Sequence, residues 1–321
     1  MHKLTDILGV KHPIIMAPMF LVTNTKMMIT ALNCDIAACI PALNYRTDEE
    51  LRTAIKEIRE KTNSTALGIN LIVNKSNIKL SKQLESCLDL EVDFVITSLG
   101  SPKEIIQKCK AKGIKVFCDV INLEMALKVQ DLGADGIIAV NNSAGGHLGK
   151  LSAKEMMDDF KGDITIPVIS AGGVGTKNGL EEKINLGFSG LSIGSPFIAC
   201  EEADISPEYK QACVDYGKND IVISTKISGS PCTVINTSYV QKVGTKQNWL
   251  EKILGKNKRL KKWVKMITFF KGMKAAEEAA FSSTYKTVWC AGPSLEGVHS
   301  IRYVSQVLSD ILKPFMREDD N

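Results

Sequence analysis

IPVISAGGVGTKNGLEEKINLGFSGLSIGSPF, residues 166–197, reads as one complete strand–helix–strand unit. PVISA (167–171) is a short apolar run, and GLSIG (190–194) is a second. Thr176 stands where a helix N-cap should fall and Gly187 where the helix should stop. The two apolar runs are separated by one helix and two short loops, which is the repeating unit of a parallel α/β architecture.

Moving outward, the same unit recurs towards the N-terminus. IIMA (14–17), IAAC (36–39), LGIN (67–70), FVIT (94–97), KVFCDV (115–120) and GIIAV (136–140) precede it, which makes eight candidate strands in all. Their spacing of roughly 20 to 32 residues fits a (β/α)8 TIM barrel. Local punctuation agrees with that count. Thr47 opens T-D-E-E, a capping-box pattern with Glu50, and Leu51, Ile55 and Ile58 then share one helix face. Ser101, Pro102 and Glu104 offer an N-cap, a first-turn proline and a capping acid, with Gly113 at the expected stop. Asn122 and Gly133 bracket the next helix in the same way.

The rhythm stops near residue 200. ISPEYKQACVDYG, the turn-rich ISGSPCTVINTSYV and QNWLEKILGKNKRLKKWVKM follow. The expected organisation is a barrel built from residues 1–202 and 291–321, with residues 203–290 forming a mostly helical subdomain, or lid, over the barrel mouth. A helix in CAGPSLEGVHSIRYVSQVLSDILKP would complete the outer ring.

Composition narrows the function classes. No apolar run is long enough to span a bilayer and the first residues lack the apolar centre of a signal peptide, so a cytoplasmic protein without a membrane role is expected. A net charge of +4 with 6% aromatics gives no reason to expect a nucleic-acid partner. The nine cysteines are scattered, odd in number and free of C-x-x-C, which reads as reduced thiols without a metal site. A homodimer is expected only from the frequency of symmetric pairs among enzymes.

Barrel chemistry sits on the loops after the strands, and three of these loops stand out. After the sixth strand comes NNSAGGHLGK (141–150), after the seventh AGGVG (171–175), and the eighth ends in SIGSPF (192–197). Glycines at the last two strands let backbone approach a phosphate, so Gly172, Gly173, Gly194 and the Ser195 hydroxyl are phosphate candidates, or else ordinary tight turns. His147 follows Gly145 and Gly146, where little obstructs its reach, and imidazole suits proton transfer near neutrality. Ala17, Pro18, Met19 and Asn70 also reach the rim. They are positioned to meet a flat ring or to serve as plain rim residues.

PIIMAPM (13–19), GINL (68–71), SAGGHLG (143–149), IPVISAGGVG (166–175) and LSIGSPF (191–197) together resemble the nitronate monooxygenase family. The resemblance implies an FMN-binding barrel in which Asn70, Gly145, Gly172, Gly173, Gly194 and Ser195 hold the flavin and His147 is catalytic. With the rim residues Ala17, Pro18 and Met19, and with Asn141 and Gly146, these make up the candidate cofactor set. The implied reaction is oxidation of an alkyl nitronate, or its parent nitroalkane, by molecular oxygen to a carbonyl compound and nitrite. Two departures concern the flavin contacts. Where many members carry Gln-Gly, this chain has Val140-Asn141, so that side-chain contact is either absent or supplied by Asn141 or Asn142. The last motif reads G-S-P-F in place of G-T-R-F, which keeps a hydroxyl and loses a charge.

GGHLGK (145–150) equally resembles the FMN-dependent enoyl-acyl-carrier-protein reductases. That sister group implies NAD(P)H as reductant and an enoyl thioester as acceptor; NADH:quinone reductases of the same superfamily are a further alternative, with a quinone as acceptor. The basic residues between Lys252 and Lys265 would then attract an acyl carrier protein, or else form a solvated helix face. A phosphate-binding isomerase or synthase barrel without flavin is the third reading.

Overall fold

The computed structural model describes residues 3–74, 76–226, 230–246 and 288–313. Eight parallel strands close into a barrel: β1 (Ile14–Met16), β2 (Ala37–Pro41), β3 (Leu67–Ile72), β4 (Phe94–Ser98), β5 (Lys115–Val120), β6 (Gly136–Val140), β8 (Val168–Ala171) and β9 (Gly190–Ile193). Pairing of Ile15 with Ser192 closes the ring. All eight lie where the apolar runs placed them. A two-residue strand, β7 (Gly146–His147), interrupts the sequence and belongs to another sheet.

Register decides which side chains fill the interior. Gly68 pairs with Phe94, and a Cβ on Gly68 would meet the Phe94 ring at 2.2 Å. Gly136 pairs with Phe117 and makes room for that ring in the same way. The two rings then pack edge to face at 5.7 Å, an arrangement that suits the ring quadrupoles. Below them, Leu4 of α1 (Leu4–Leu8) fills the space a side chain on Gly190 would take, sealing the barrel floor. The barrel is therefore a packed core whose free end is the C-terminal rim.

The outer helices begin as their sequences dictate. In α3 (Asp48–Lys61), Thr47 Oγ1 accepts from Glu50 N at 3.2 Å while Glu50 Oε2 accepts from Thr47 N at 3.1 Å. Asn122 caps α6 (Leu123–Asp131) and Thr176 caps α8 (Lys177–Asn185), with Gly133 and Gly187 in the left-handed region beyond their ends. One cap differs from expectation. In α5 (Lys103–Lys110) the cap position is Pro102, with near-helical backbone, so Ser101 lies outside the helix and bonds no amide of its first turn. Leu99 and Gly100 both have positive φ, and this turn displaces the helix start.

Beyond β9 come α9 (Pro207–Asp215), β10 (Ile221–Ser224), β11 (Cys232–Ile235) and α10 (Ser238–Val243). The segment read as turn-rich thus contains β11, which pairs antiparallel with β10 on one side and β7 on the other. Most of the segment expected to be helical, including the basic stretch Lys252–Lys265, lies outside the described residues. The closing helix α11 (Val304–Leu312) packs against α2 (Thr25–Leu32) and α8 and completes the ring. Its first amide, Val304 N, donates to the Glu202 carboxylate at 3.1 Å.

Candidate active site

The rim is built unequally around its circumference. On the arc β3–β5, the inward positions at the strand tops are polar. Asn70 Nδ2 donates to Ser98 Oγ at 2.8 Å and to Ile96 O at 3.1 Å, and Ser98 Oγ donates to Asp119 Oδ2 at 2.5 Å. Asn70 is 6% exposed and, among the described residues, its Oδ1 accepts no hydrogen bond. Burial raises the Asp119 carboxyl to about 6, partly offset by the Ser98 bond. Desolvation wins here because a single hydroxyl donor compensates little of the lost hydration.

On the arc β8, β9 and β1 the rim is small and turned. Met19 N donates to Thr23 Oγ1 at 2.9 Å and that hydroxyl donates to Ala17 O, which fixes the Ala17–Pro18–Met19 turn. A Cβ on Gly194 would touch Ala17 and Met19 at 3.5 Å, so these two loops meet at contact distance. Gly172 has φ +117, and a Cβ there would meet Ala144 N at 2.4 Å and Asn141 Oδ1 at 2.5 Å. Gly173, at φ +78, opens instead onto a cleft of about 610 Å³ at the N-terminus of α8, lined also by Ser143, Lys183 and Lys218. That end of the helix favours anions, although Glu182 and Glu296 share the lining. Neither β1, β3 nor His147 contributes to the cleft, so it flanks the mouth.

Asn141 is 1% exposed and its side chain is committed to the scaffold. Its Oδ1 accepts from Ser143 N at 2.8 Å, and its Nδ2 donates to Gly172 O at 3.1 Å and Ser170 Oγ at 3.4 Å. It therefore braces the loop after β6 against the loop after β8. Asn142 is exposed and bonds Ser143. Ser195 is 6% exposed, and its Oγ accepts from Gly292 N at 2.9 Å while keeping its own proton to donate. Gly145 packs into this junction, since a Cβ on it would lie 2.7 Å from Ser195 Oγ and 3.1 Å from Gly292 N.

His147 is held by the second sheet. It pairs with Cys232, Gly146 pairs with Thr233, and Thr233 Oγ1 donates to Ala144 O at 2.9 Å. The imidazole is reachable from solvent, yet surrounding protein desolvates it and lowers its pKa from 6.5. Neutral imidazole is thus the dominant form at neutral pH. Gly146 has φ +76 with open space around its Cα, the conformation that turns the chain into β7.

Sequence reasoning passed over Ser98, Asp119, Thr23, Thr233 and Gly292. Asp119 left a trace, as a carboxylate at the C-terminal end of KVFCDV on the same alternating face as Phe117. The others became meaningful only once distant segments met. No cluster of His, Cys, Asp or Glu among the described residues is arranged to hold a metal ion. None of the described helices is long and apolar enough to cross a membrane.

A closed parallel barrel with a histidine loop and glycine turns at its C-terminal rim defines a (β/α)8 barrel, and the family it matches is one of oxidoreductases. The nitronate monooxygenase family model matches residues 1–313, and the chain belongs to that family. A probable nitronate monooxygenase of Staphylococcus saprophyticus is 25% identical over 286 residues, covering 75% of this chain and 80% of its own length. A 5-hydroxy-7a-methyl-1-oxo-octahydro-1H-indene-4-carboxyl-CoA dehydrogenase of Rhodococcus jostii is 26% identical over 237 residues, covering 74% of this chain. The match spans 66%, just under two thirds, of that relative's length. Among solved structures, FabK of Thermotoga maritima superposes with a TM-score of 0.83 at 25% identity, covering 98% of this chain and 96% of the other.

Proposed function

We propose that this chain is an FMN-dependent oxidoreductase that oxidises alkyl nitronates with molecular oxygen to a carbonyl compound and nitrite. The rim supports a flavin by its asymmetry. Small residues on one arc leave space for a planar ring, and the free Asn70 Oδ1 on the other is an acceptor of the kind a ring N–H requires. Gly173, Gly194 and the Ser195 proton would serve the phosphate end, with Ala17, Pro18 and Met19 against the ring and Gly145, Gly146 and Gly172 shaping the loops. Asn141 acts through these loops and not by contact. Bound FMN would supply the electron-accepting chemistry that no side chain here provides. In this reading residues 1–202 and 291–321 are the flavin barrel and 203–290 cover its mouth, with β11 already joined to the His147 loop.

The neutral, solvent-reachable imidazole of His147 carries the reading. As a base it removes the proton α to the nitro group of a neutral nitroalkane. Toward a nitronate, which has already lost that proton, it needs only to hydrogen-bond. His147→Asn should therefore abolish turnover of the neutral nitroalkane while preformed nitronate and flavin binding survive. Undiminished nitroalkane turnover in that variant would remove His147 from the chemistry.

A second reading is an NAD(P)H-dependent reductase of a thioester, such as an enoyl-acyl-carrier-protein, or of a quinone. It is supported by the likeness to FabK and to a relative named for a CoA thioester. His147 would then polarise or protonate the acceptor. Rapid loss of flavin colour on adding NADH or NADPH without oxygen would favour this reading over the first.

A further inference from the structure

Three polar side chains stand one to a strand at the tops of β3, β4 and β5. Asn70 lies two residues beyond Gly68, Ser98 four beyond Phe94 and Asp119 two beyond Phe117, so all three share the inward face with the two packed rings and sit on top of them. The ring layer is apolar and offers these groups no hydrogen-bond partner. They are left to satisfy one another, to use strand backbone, or to face the mouth. Ser98 and Asp119 are partly exposed, and from inward positions at the strand tops that exposure is to the mouth.

Counting protons fixes the direction of every bond in this group. Ser98 has a single hydroxyl proton, and it goes to Asp119 Oδ2 at 2.5 Å. The Ser98 oxygen is then purely an acceptor towards Asn70, whose Nδ2 donates to it at 2.8 Å. The second Nδ2 proton goes to Ile96 O at 3.1 Å. With both amide protons spent on the scaffold, Oδ1 is the part of the amide left for a ligand. Reversing the amide would set Oδ1 against Ile96 O and against a Ser98 oxygen whose proton is already committed. Ile96 O holds one side of the amide, and Asp119 secures the other by keeping the Ser98 proton from Asn70.

We propose that Asp119 is a positioning residue: acting through Ser98, it holds the Asn70 amide with its carbonyl oxygen turned to the mouth, where that oxygen accepts from a ring N–H of the flavin. The inference rests on the flavin reading given above. Either form of the carboxyl serves, because a neutral acid accepts through its carbonyl oxygen much as a carboxylate does. Connectivity, and not charge, sets the orientation.

The test titrates flavin-free protein with FMN, and separately with riboflavin, by the quenching of flavin fluorescence. Asp119→Leu cannot accept from Ser98 and should weaken both ligands by the same factor, about tenfold, since the ring and not the phosphate is affected. Asp119→Asn, whose amide oxygen still accepts, should bind both within about threefold of the unsubstituted chain. In a Ser98→Ala background, Asp119→Leu should have no further effect, because the route to Asn70 is already cut. Should Asp119→Leu fail to fold, Asp119→Ala removes the same acceptor and takes its place. Unchanged flavin affinity in Asp119→Leu, a loss in Asp119→Asn as large as in Asp119→Leu, or losses that multiply in the double variant would overturn the proposal while the flavin reading stands. An unsubstituted chain that takes up neither FMN nor riboflavin would overturn both.

Discussion

Ser98 Oγ donates to Asp119 Oδ2 at 2.5 Å, yet the bond does not offset what burial costs this carboxyl, whose pKa stands at about 6. The neutral acid is the form that the fold favours. Its contribution is intact below pH 3.8 and is lost as pH rises through about 6. Asp119→Asn should therefore stabilise the protein at pH 8 by up to about 3 kcal/mol and leave it almost unchanged at pH 4. Chemical denaturation at the two pH values measures this. If activity also depends on Asp119, the variant loses a transition near pH 6 in its rate profile while gaining stability, the pattern of a functional site that the fold must offset elsewhere.

Thr233 ties the histidine loop to β11 through Ala144 O. Thr233→Val keeps the shape, removes the donor and leaves a buried carbonyl short of a partner, at a cost of about 1–2 kcal/mol. A several-fold drop in turnover with flavin retained is expected, since the loop carries His147 and not the phosphate end. Flavin content and kcat measured together separate this outcome from general unfolding.

Glycines at the rim should differ sharply in tolerance. Gly146→Ala meets open space, so only the left-handed backbone opposes it, at about 1–2 kcal/mol. Gly172→Ala adds a collision with the backbone of Ala144 and with the Asn141 brace. It should lower Tm well beyond the Gly146 variant, and equal thermal stability of the two would contradict the loop packing described.

His147 has its pKa held below 6.5 by burial, so the neutral imidazole's contribution is present above that value and is lost as pH falls through the depressed pKa. Activity toward a neutral nitroalkane should hold down to a pH below 6.5 and then fall, while turnover of preformed nitronate by His147→Asn lacks that limb. A limb centred above 6.5 would show that a nearby anion, and not desolvation, controls the residue.

Local pattern carried the barrel. Runs such as GIIAV and PVISA are short, β-branched and bounded by turn signals, which marks them as strands, and Thr47, Asn122 and Thr176 mark their helices by interactions within four residues. Ser101 failed as a cap because the turn at Leu99 and Gly100 sets the helix entry. The site was less legible. The motif placed His147 on the rim, but its support comes from Cys232 and Thr233, and the Gly145–Ser195 junction is completed by Gly292. Asn141 read as a ligand contact because an amide at a strand end can serve either role; its bonds to Ser143 N, Ser170 Oγ and Gly172 O commit the side chain to the scaffold. Long-range pairing of this kind leaves no periodic trace in one sequence.

The most direct measurement is the visible spectrum of the purified protein without oxygen, before and after adding an alkyl nitronate, with NADH and NADPH added to separate samples. A yellow protein bleached by nitronate and indifferent to both nucleotides is the expected result. A colourless protein, or a flavin bleached by NADH or NADPH and untouched by nitronate, would contradict it.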